Sequence, residues 1–349
     1  MTETKRALIL SGGGGRGAYH CGVLEYLEII AWQPDILVGT SIGAINSAAI
    51  ASGHNAQSLK ALWRDLTTDG VQRLRKDLFD VTKWTYLLDN SPWRRSLVDG
   101  GWFDFQRINS DAAPTLAMTA TDVYTGALTV FCNRDLEPSK SGGPRTKRIR
   151  HVQFTLDHIL ASCSIPIVYP WTRVSEEDRL YWDGAVVSNT PLGTALRAGA
   201  TEIIVVLLSP WEEDDDAYAY EGSDAPKLWT LPGLALDWAL LASFRSDLKL
   251  WDAVNDFVAA FELLTEGQRQ ELALKLWGDE PEEERERKLE NVSSWRTINR
   301  PRIVAPRRLM PVEQIITYDR ETHERMFEMG RSDAARVLRD LTLEQKHPE

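Results

Sequence analysis

Residues 37–46 read LVGTSIGAIN: an apolar run, then a serine between two glycines, then a run of small residues. The reading of Ser41 decides what kind of chain this is. Gly39, Thr40, Ser41, Ile42 and Gly43 spell G-x-S-x-G, which either sets a nucleophile on a sharp strand-to-helix turn or leaves an ordinary serine capping a helix. Gly39 and Gly43 suit the first case, because they remove side chains that would crowd a strained turn. Five residues are too few to decide, so the surrounding sequence has to.

Upstream, RALILSG is a short apolar strand ending in glycines, and AYHCGVLEYLEII continues with helical periodicity through Val23, Leu24, Leu27 and Ile30. DILVGTS is a second buried strand, and IGAINSAAIASG a second helix stopped by Gly53. Strand, helix, strand, helix is the beginning of a parallel sheet with helices on its faces. Residues 55–110 read as mostly helical and carry Trp63, Trp84, Trp93 and Trp102, an insertion or cap with no chemistry of its own. Most of the 13 tryptophans in the chain are expected to be core or interfacial anchors.

Further on, TLAMTATDVYTGALTVFCN predicts paired strands near 117–120 and 128–132 around a Thr-Gly turn. TLDHILASCS predicts a helix from Thr155 that Pro166 halts. RLYWDGAVVSNTPLGTALRAGA predicts a strand, a turn at Asp183-Gly184, and a helix from Pro191 closed by Gly199. EIIVVLLSP is a continuous buried strand. Residues 211–226 are acidic and poor in apolar side chains, an expected surface loop. Across 227–262, Leu234, Trp238, Leu241, Leu248, Trp251, Val254, Val258 and Phe261 recur at steps of three, four and seven, as on an amphipathic helix. GDEPEEERERKLE reads as a solvated helix, RPRIVAPRRL as a late strand, and RETHERMFEMGRSDAARVLRDL as a closing helix.

Composition narrows the function. The chain has 349 residues, 43 % of them apolar and 26 % charged, enough for a real core in one large α/β domain with an appendage or in two smaller domains. A formal charge of −11 argues against a nucleic-acid partner, whose phosphates need a basic surface. Cys21, Cys132 and Cys163 are too scattered for a disulfide framework or a zinc site and fit a reducing compartment. The apolar run 7–10 is too short for a secretory leader, and no later stretch reaches the ~18 apolar residues of a membrane span. A cytoplasmic protein is expected, peripheral at a membrane at most.

The run LSGGGGRGAYHCGVL has three readings. A phosphate loop needs G-x-x-x-x-G-K-[ST]. Gly12 and Gly17 have the spacing, but Ala18 and Tyr19 follow, so the lysine and the hydroxyl are missing. A dinucleotide loop accepts Gly12, Gly14 and Gly17, but needs an acid where the second strand ends, and that strand ends in Gly39-Thr40-Ser41. The third reading is an oxyanion hole: exposed backbone N–H groups at a helix N-terminus, with the helix dipole adding positive potential, bind a developing alkoxide. In that case Arg16 either strengthens the potential or holds the loop. Loops leaving the same end of neighbouring parallel strands meet, so this loop and Ser41 are expected side by side.

A serine needs a base. Ser41, Asp183 and His323 follow the Ser…Asp…His order of α/β-hydrolases, but His323 lies within DRETHERMF, which reads as an exposed charged helix. Asp183 stands at a strand end before Gly184, where a carboxylate can act as base within about 3 Å of the hydroxyl. With an ordinary carboxylate pKa near ~4 it would be a weaker base than imidazole, so the site would lean on the oxyanion donors. A plain Asp-Gly turn is the competing reading.

In order along the chain, Ser11 to Gly17 resemble the Ser/Asp-Gly-Gly-Gly-x-Arg/Lys-Gly loop of patatin-like phospholipases. Gly39 to Gly43 resemble that family's elbow, and Asp183, Gly184 and Ala185 its Asp-Gly-Gly/Ala element. TATDVYTG and ASCSIPIVYP are softer matches, and the resemblance covers about residues 5–210. It implies a three-layer α/β/α sandwich with a mostly parallel sheet as the catalytic domain. Residues 227–349 would then form a helical extension packing on it. It implies Ser41 as nucleophile and Asp183 as its only partner. Gly12, Gly13, Gly14, Gly15, Arg16 and Gly17 would form the oxyanion loop, with the N–H groups around Gly13, Gly14 and Gly15 holding the oxyanion. The implied substrate is an acyl ester of a phospholipid, lysophospholipid or neutral lipid, with no metal or cofactor in the chemistry.

Thioesterase or acyltransferase chemistry on the same residues, and a non-catalytic nucleotide-binding protein using the glycine loop, stay open at this point. So do the oligomeric state and the role of 227–262, as a lid, a membrane-docking helix or, more often for such a stripe, a packed helix. The basic stretches RTKRIRH and RPRIVAPRR either meet anionic headgroups or, as expected in an acidic chain, form solvated surface.

Overall fold

Alternation along the central strands divides the core. In β1 (Arg6–Leu10), Ala7 and Ile9 point to one face while Leu8 and Leu10 point to the other; in β2 (Ile36–Thr40), Ile36 and Val38 oppose Leu37. Side chains that alternate on a strand buried on both faces require helices above and below it. The computed structural model describes residues 4–75, 85–136, 147–211 and 231–341, with side chains at all of them except 147 and 231–237. Trp84, the acidic stretch beyond Trp211 and the first residues of the 227–262 segment lie outside the described residues.

The helices come in chain order as the periodicities predict: α1 (Ala18–Ile29), α2 (Ile42–Ala51), α3 (Ala56–Asp65) and α4 (Ser91–Asp99). The next strands are β3 (Thr115–Asp122), β4 (Leu128–Cys132) and β5 (Lys147–His151). After α5 (Leu156–Ser162) come β6 (Thr172–Val174), β7 (Arg179–Asp183), α6 (Leu192–Arg197) and β8 (Glu202–Val206). The C-terminal part holds α7 (Leu231–Glu262), α8 (Glu266–Trp277), α9 (Glu282–Ser293), β9 (Arg302–Val304) and α10 (Arg320–Val337).

The strands lie in the order β9-β8-β1-β2-β3-β4-β5, parallel throughout except for the β3–β4 hairpin, whose strands pair antiparallel. β7 pairs antiparallel with β3 and in turn carries β6. One face is covered by α1, α2 and α3, which bury Leu24, Ile45, Leu59 and Trp63. The other is covered by α6 and α7, which bury Leu192, Ala195, Leu241, Phe244, Leu248 and Trp251. This is a sandwich of helices on both faces of a mostly parallel sheet.

Register places the ends of two strands together. Thr40, the last residue of β2, pairs with Thr119, and the next residue of β3, Ala120, pairs with Asp183 at the end of β7. Where β2 stops, β7 arrives from the opposite direction along the same edge of β3. Ser41 and Asp183 therefore meet although 142 positions separate them in the chain.

Residues 55–110 contribute core. Trp63, Trp93 and Trp102 are buried in the cluster beneath α1, and Asn55 caps α3 by accepting the Ser58 N–H. The late strand joins the sheet as β9 beside β8, and α10 lies along α1, with the Tyr19 hydroxyl donating to Asp333 at 2.9 Å. The 227–262 stripe is only partly inward. Leu241, Leu248, Trp251, Val258 and Phe261 are buried, but Trp238 and Val254 are exposed. RTKRIRH, as far as it is described, is the edge strand β5. Its arginines are matched within the chain, Arg148 to Asp122 at 3.0 Å and Arg150 to Glu177 at 3.4 Å, and His151 Nδ1 lies 3.2 Å from an Asp135 carboxylate oxygen.

Candidate active site

Ser41 sits between β2 and α2 with φ 56° and ψ −127°, a conformation that costs a non-glycine residue about 1–3 kcal/mol. Its neighbours hold it there. The Ser41 N–H donates to Ser162 Oγ at 2.9 Å, and its carbonyl accepts from the Cys163 thiol at 3.1 Å as well as from the Ala44 N–H. The next residue of the same tripeptide, Ser164, accepts the Asp183 N–H on its carbonyl at 2.9 Å. One segment at the end of α5 thus fixes the backbones of both Ser41 and Asp183. The softer sequence match at ASCSIP contains these residues, but nothing in it marked what they bind.

Asp183 is 2 % exposed. Its Oδ1 accepts the Ala185 N–H at 2.8 Å, while Oδ2 is buried with no partner of full hydrogen-bond geometry. Burial, which penalises the charged form, pushes the carboxyl up to about 7, against the smaller opposing pull of the nearby Ser41 hydroxyl and the Ala185 N–H. The expectation of an ordinary, weakly basic carboxylate is therefore corrected: its basicity is close to that of imidazole. Thr121 Oγ1 donates to the Asp183 carbonyl at 2.9 Å, and Thr40 shares a 2.7 Å bond with Thr119, locking the strands on either side of the meeting point.

The glycine loop lies beside the serine. A Cβ on Gly12 would stand 2.9 Å from Ser41 Cβ and 2.7 Å from Asn189 Oδ1, and the Gly12 N–H donates to that same oxygen. Asn189, six residues after Asp183, thus ties the loop to the aspartate's own segment, a contact the sequence did not single out. Gly13 and Gly14 line a cavity of about 50 Å³ together with Ser41, Asp183, Ala185 and Val186. Gly14 through Gly17 form a turn of 3₁₀ helix running into α1, so the cavity faces the positive end of that helix as well as of α2.

Other expected loop members do not reach the cavity. Gly15 packs against the carbonyls of Gln314 and Thr317, and Gly17 against Ile42 and Trp63. The Arg16 guanidinium is buried and donates to the carbonyls of Met310 at 2.9 Å and Pro311 at 3.2 Å, which ties the loop to that segment. Gly39 and Gly43 stand at the elbow against neighbouring backbone, and Gly184 against Thr119. Ile42 is core. A Cβ on Gly14, whose φ is +60°, would come within 1.9 Å of the Ile315 carbonyl oxygen. Backbone from residues 314–317 therefore packs closely against this part of the loop.

Among the described residues no histidine lines the cavity. His323 is fully buried rather than exposed, its Nδ1 on the Trp63 carbonyl at 2.8 Å and its ring edge against Trp63. The charged residues around it in sequence disguised an inward-facing position. His20 bridges to Asn46 inside the core, and burial lowers its pKa to about 3. Among the described residues no group of His, Cys, Asp and Glu side chains is arranged to hold a metal, and no helix is long and apolar enough to cross a membrane.

A serine on a sharp turn, facing a buried aspartate across the mouth of a glycine loop, on a three-layer sandwich, defines a class of site. Residues 8–196 match the patatin-like phospholipase family, and the chain belongs to it. It is 27 % identical over 215 residues to human patatin-like phospholipase domain-containing protein 6, a match covering 62 % of this chain and 14 % of that protein. It is 27 % identical over 208 residues to the uncharacterized protein YjjU of Escherichia coli K12, covering 58 % of this chain and 52 % of that one. The chain thus spans a small part of the first and about half of the second. VipD of Legionella pneumophila aligns over 97 % of this chain and 67 % of its own at 10 % identity, with a TM-score of 0.43.

Proposed function

We propose that the protein is a lipid acyl hydrolase that cleaves carboxylic esters through Ser41 and Asp183. One observation carries the reading. Ser41, the raised carboxyl of Asp183 and the backbone of Gly13 and Gly14 share one small cavity. Ser41 Oγ attacks the ester carbonyl while Asp183 takes its proton. The carbonyl oxygen becomes an alkoxide facing the glycine loop, where each well-placed donor contributes about 3 kcal/mol. The carbon–oxygen bond to the alcohol then breaks, and Asp183 returns the proton to the departing alcohol. Water attacks the acyl-serine, giving its proton to Asp183. Collapse releases the fatty acid and restores the Ser41 hydroxyl. An alcohol or thiol acceptor could replace water in the second half, and the same residues would then run acyl transfer.

The test is labelling with a fluorophosphonate probe together with release of p-nitrophenol from acyl esters. Labelling and turnover are expected in the wild-type chain. Ser41→Ala is expected to lose both, and Asp183→Asn to lose turnover by roughly 10²–10⁴-fold, the usual weight of a general base. Turnover that survives Ser41→Ala would overturn the assignment.

A further inference from the structure

One side chain of the 55–110 segment joins two walls of the Ser41 cavity. Ile165 and Pro166 belong to one wall and Ile315 to another. Gln72 follows the short helix Thr68–Val71 and is 6 % exposed. Its Oε1 accepts the hydroxyl of Tyr169, four residues beyond Ile165. Its Nε2 donates to the carbonyl of Ile316, next to Ile315, at 2.6 Å. Both ends of one buried amide are therefore used, each on a different wall.

Each wall continues into the candidate machinery. The first begins at the tripeptide 162–164, which holds the backbones of Ser41 and Asp183. Residues 165–169 then close as a turn, with the Tyr169 N–H on the Ile165 carbonyl at 2.9 Å. In that turn Ile167 stands at φ 70°, costly for a β-branched residue. Such a conformation persists only where the surroundings impose it, and with 71 % of its surface exposed Ile167 is not held by its own side chain. What holds the turn is Gln72 on Tyr169, with the Leu87 and Leu88 N–H groups on the carbonyls of Ile167 and Val168, each at 2.8 Å. The second wall carries the Ile315 carbonyl that packs on Gly14 of the glycine loop. Thr68, one turn before Gln72, ties that same segment down through the Tyr318 backbone at 3.0 and 2.9 Å.

Resting on the hydrolase reading above, we infer that Gln72 is a positioning residue for the reaction. It does not line the cavity. It fixes the segment that aims Ser41 and Asp183 relative to the segment that backs the glycine loop, and so sets the gap between the nucleophile and the oxyanion donors. That gap matters, because such donors act within about 2.7–3.1 Å of the alkoxide and a displacement of about 1 Å costs roughly 10²-fold in rate.

The experiment compares Gln72→Met, which keeps the length and loses both hydrogen bonds, with Tyr169→Phe, which loses one, and with the two combined. kcat and KM are measured on p-nitrophenyl butyrate per fluorophosphonate-labelled site, beside thermal melts. kcat per site is expected to fall about tenfold in Gln72→Met and severalfold in Tyr169→Phe, with KM unchanged. The double variant is expected to be no slower than Gln72→Met, since the bridge is already broken and the unpaired Tyr169 hydroxyl is gone. Melting temperatures that fall while kcat per site stays at the wild-type value would make Gln72 a packing residue and overturn the inference. So would a rise in KM at constant kcat, or losses that multiply in the double variant. If Gln72→Met yields no folded protein, Tyr169→Phe, which removes a single oxygen, decides by the same two readings. A wild type that neither labels nor turns over any ester would bring down the hydrolase reading itself, and this inference with it.

Discussion

Asp183 shows how far a residue type can be moved by its place. Its carboxyl stands at about 7 because the side chain is enclosed where β2 and β7 meet. In the proposed reaction only the ionised form accepts a proton, so kcat/KM should rise through an acid limb near pH 7 rather than near 4, read from a pH–rate profile. The same shift has a sign in stability. A carboxyl raised in the folded state binds protons there that the unfolded chain has released, so stability is full below the ordinary carboxylate range and declines as pH rises through about 7. Asp183→Asn, neutral at every pH, should therefore melt above wild type at pH 8, with the difference vanishing near pH 4 in a calorimetric series. A second residue-scale prediction concerns Ser162. Its hydroxyl oxygen holds the N–H of a strained Ser41, and losing a buried partner costs about 1–3 kcal/mol. Ser162→Ala should lower kcat about tenfold or more and slow fluorophosphonate labelling equally while KM stays put, and Ser162→Thr should restore much of it. Equal loss in both variants, tracking a lowered melting temperature, would make the serine merely structural. Ser41 and Asp183 were legible because the elbow and the Asp-Gly turn are local backbone devices. Ser162 and Asn189 were not, because a hydrogen bond to residues 121 or 177 positions away leaves no local pattern.

At the scale of elements, the glycine loop and the 310–318 segment form one unit. The loop's backbone is shaped for close approach, and what approaches is other backbone as well as the cavity: the Ile315 carbonyl at Gly14, the Gln314 and Thr317 carbonyls at Gly15. Arg16 clamps the two together from inside the protein. Replacing it by alanine strips two carbonyls of their donor and leaves a hole where a large buried side chain stood, together worth roughly 3–5 kcal/mol. Arg16→Ala should thus melt well below wild type and lose esterase activity. Arg16→Lys, which keeps a charge but reaches with a single nitrogen, should fall between the two, in thermal melts and active-site counts. Single elements were readable from periodicity and punctuation, and the strand and helix order follows them closely. The partner of an element was not readable. His323 seemed exposed because its neighbours in DRETHERMF are charged, yet α10 turns it toward Trp63. On α7 the apolar steps announced an amphipathic helix without saying that Trp238 and Val254 would stay exposed.

At the scale of the molecule, the family match ends at residue 196, but the core does not. α7 closes one face of the sheet with Leu241, Phe244, Leu248 and Trp251, and α10 closes the other side over α1 with Met326, Phe327 and Ala334. Burying a large apolar side chain contributes about 1.5–3 kcal/mol, so the larger of these side chains together outweigh the ~5–15 kcal/mol by which a domain is usually stable. Deleting β9 would also bare the edge of β8, and an unpaired buried-type strand is a template for aggregation. A chain ending at residue 210 is therefore expected to lack a cooperative urea transition and near-ultraviolet dichroism and to leave Ser41 unlabelled by fluorophosphonate, although it contains every motif of the candidate site. If that fragment unfolds cooperatively and labels at the wild-type rate, the C-terminal segment is an appendage after all.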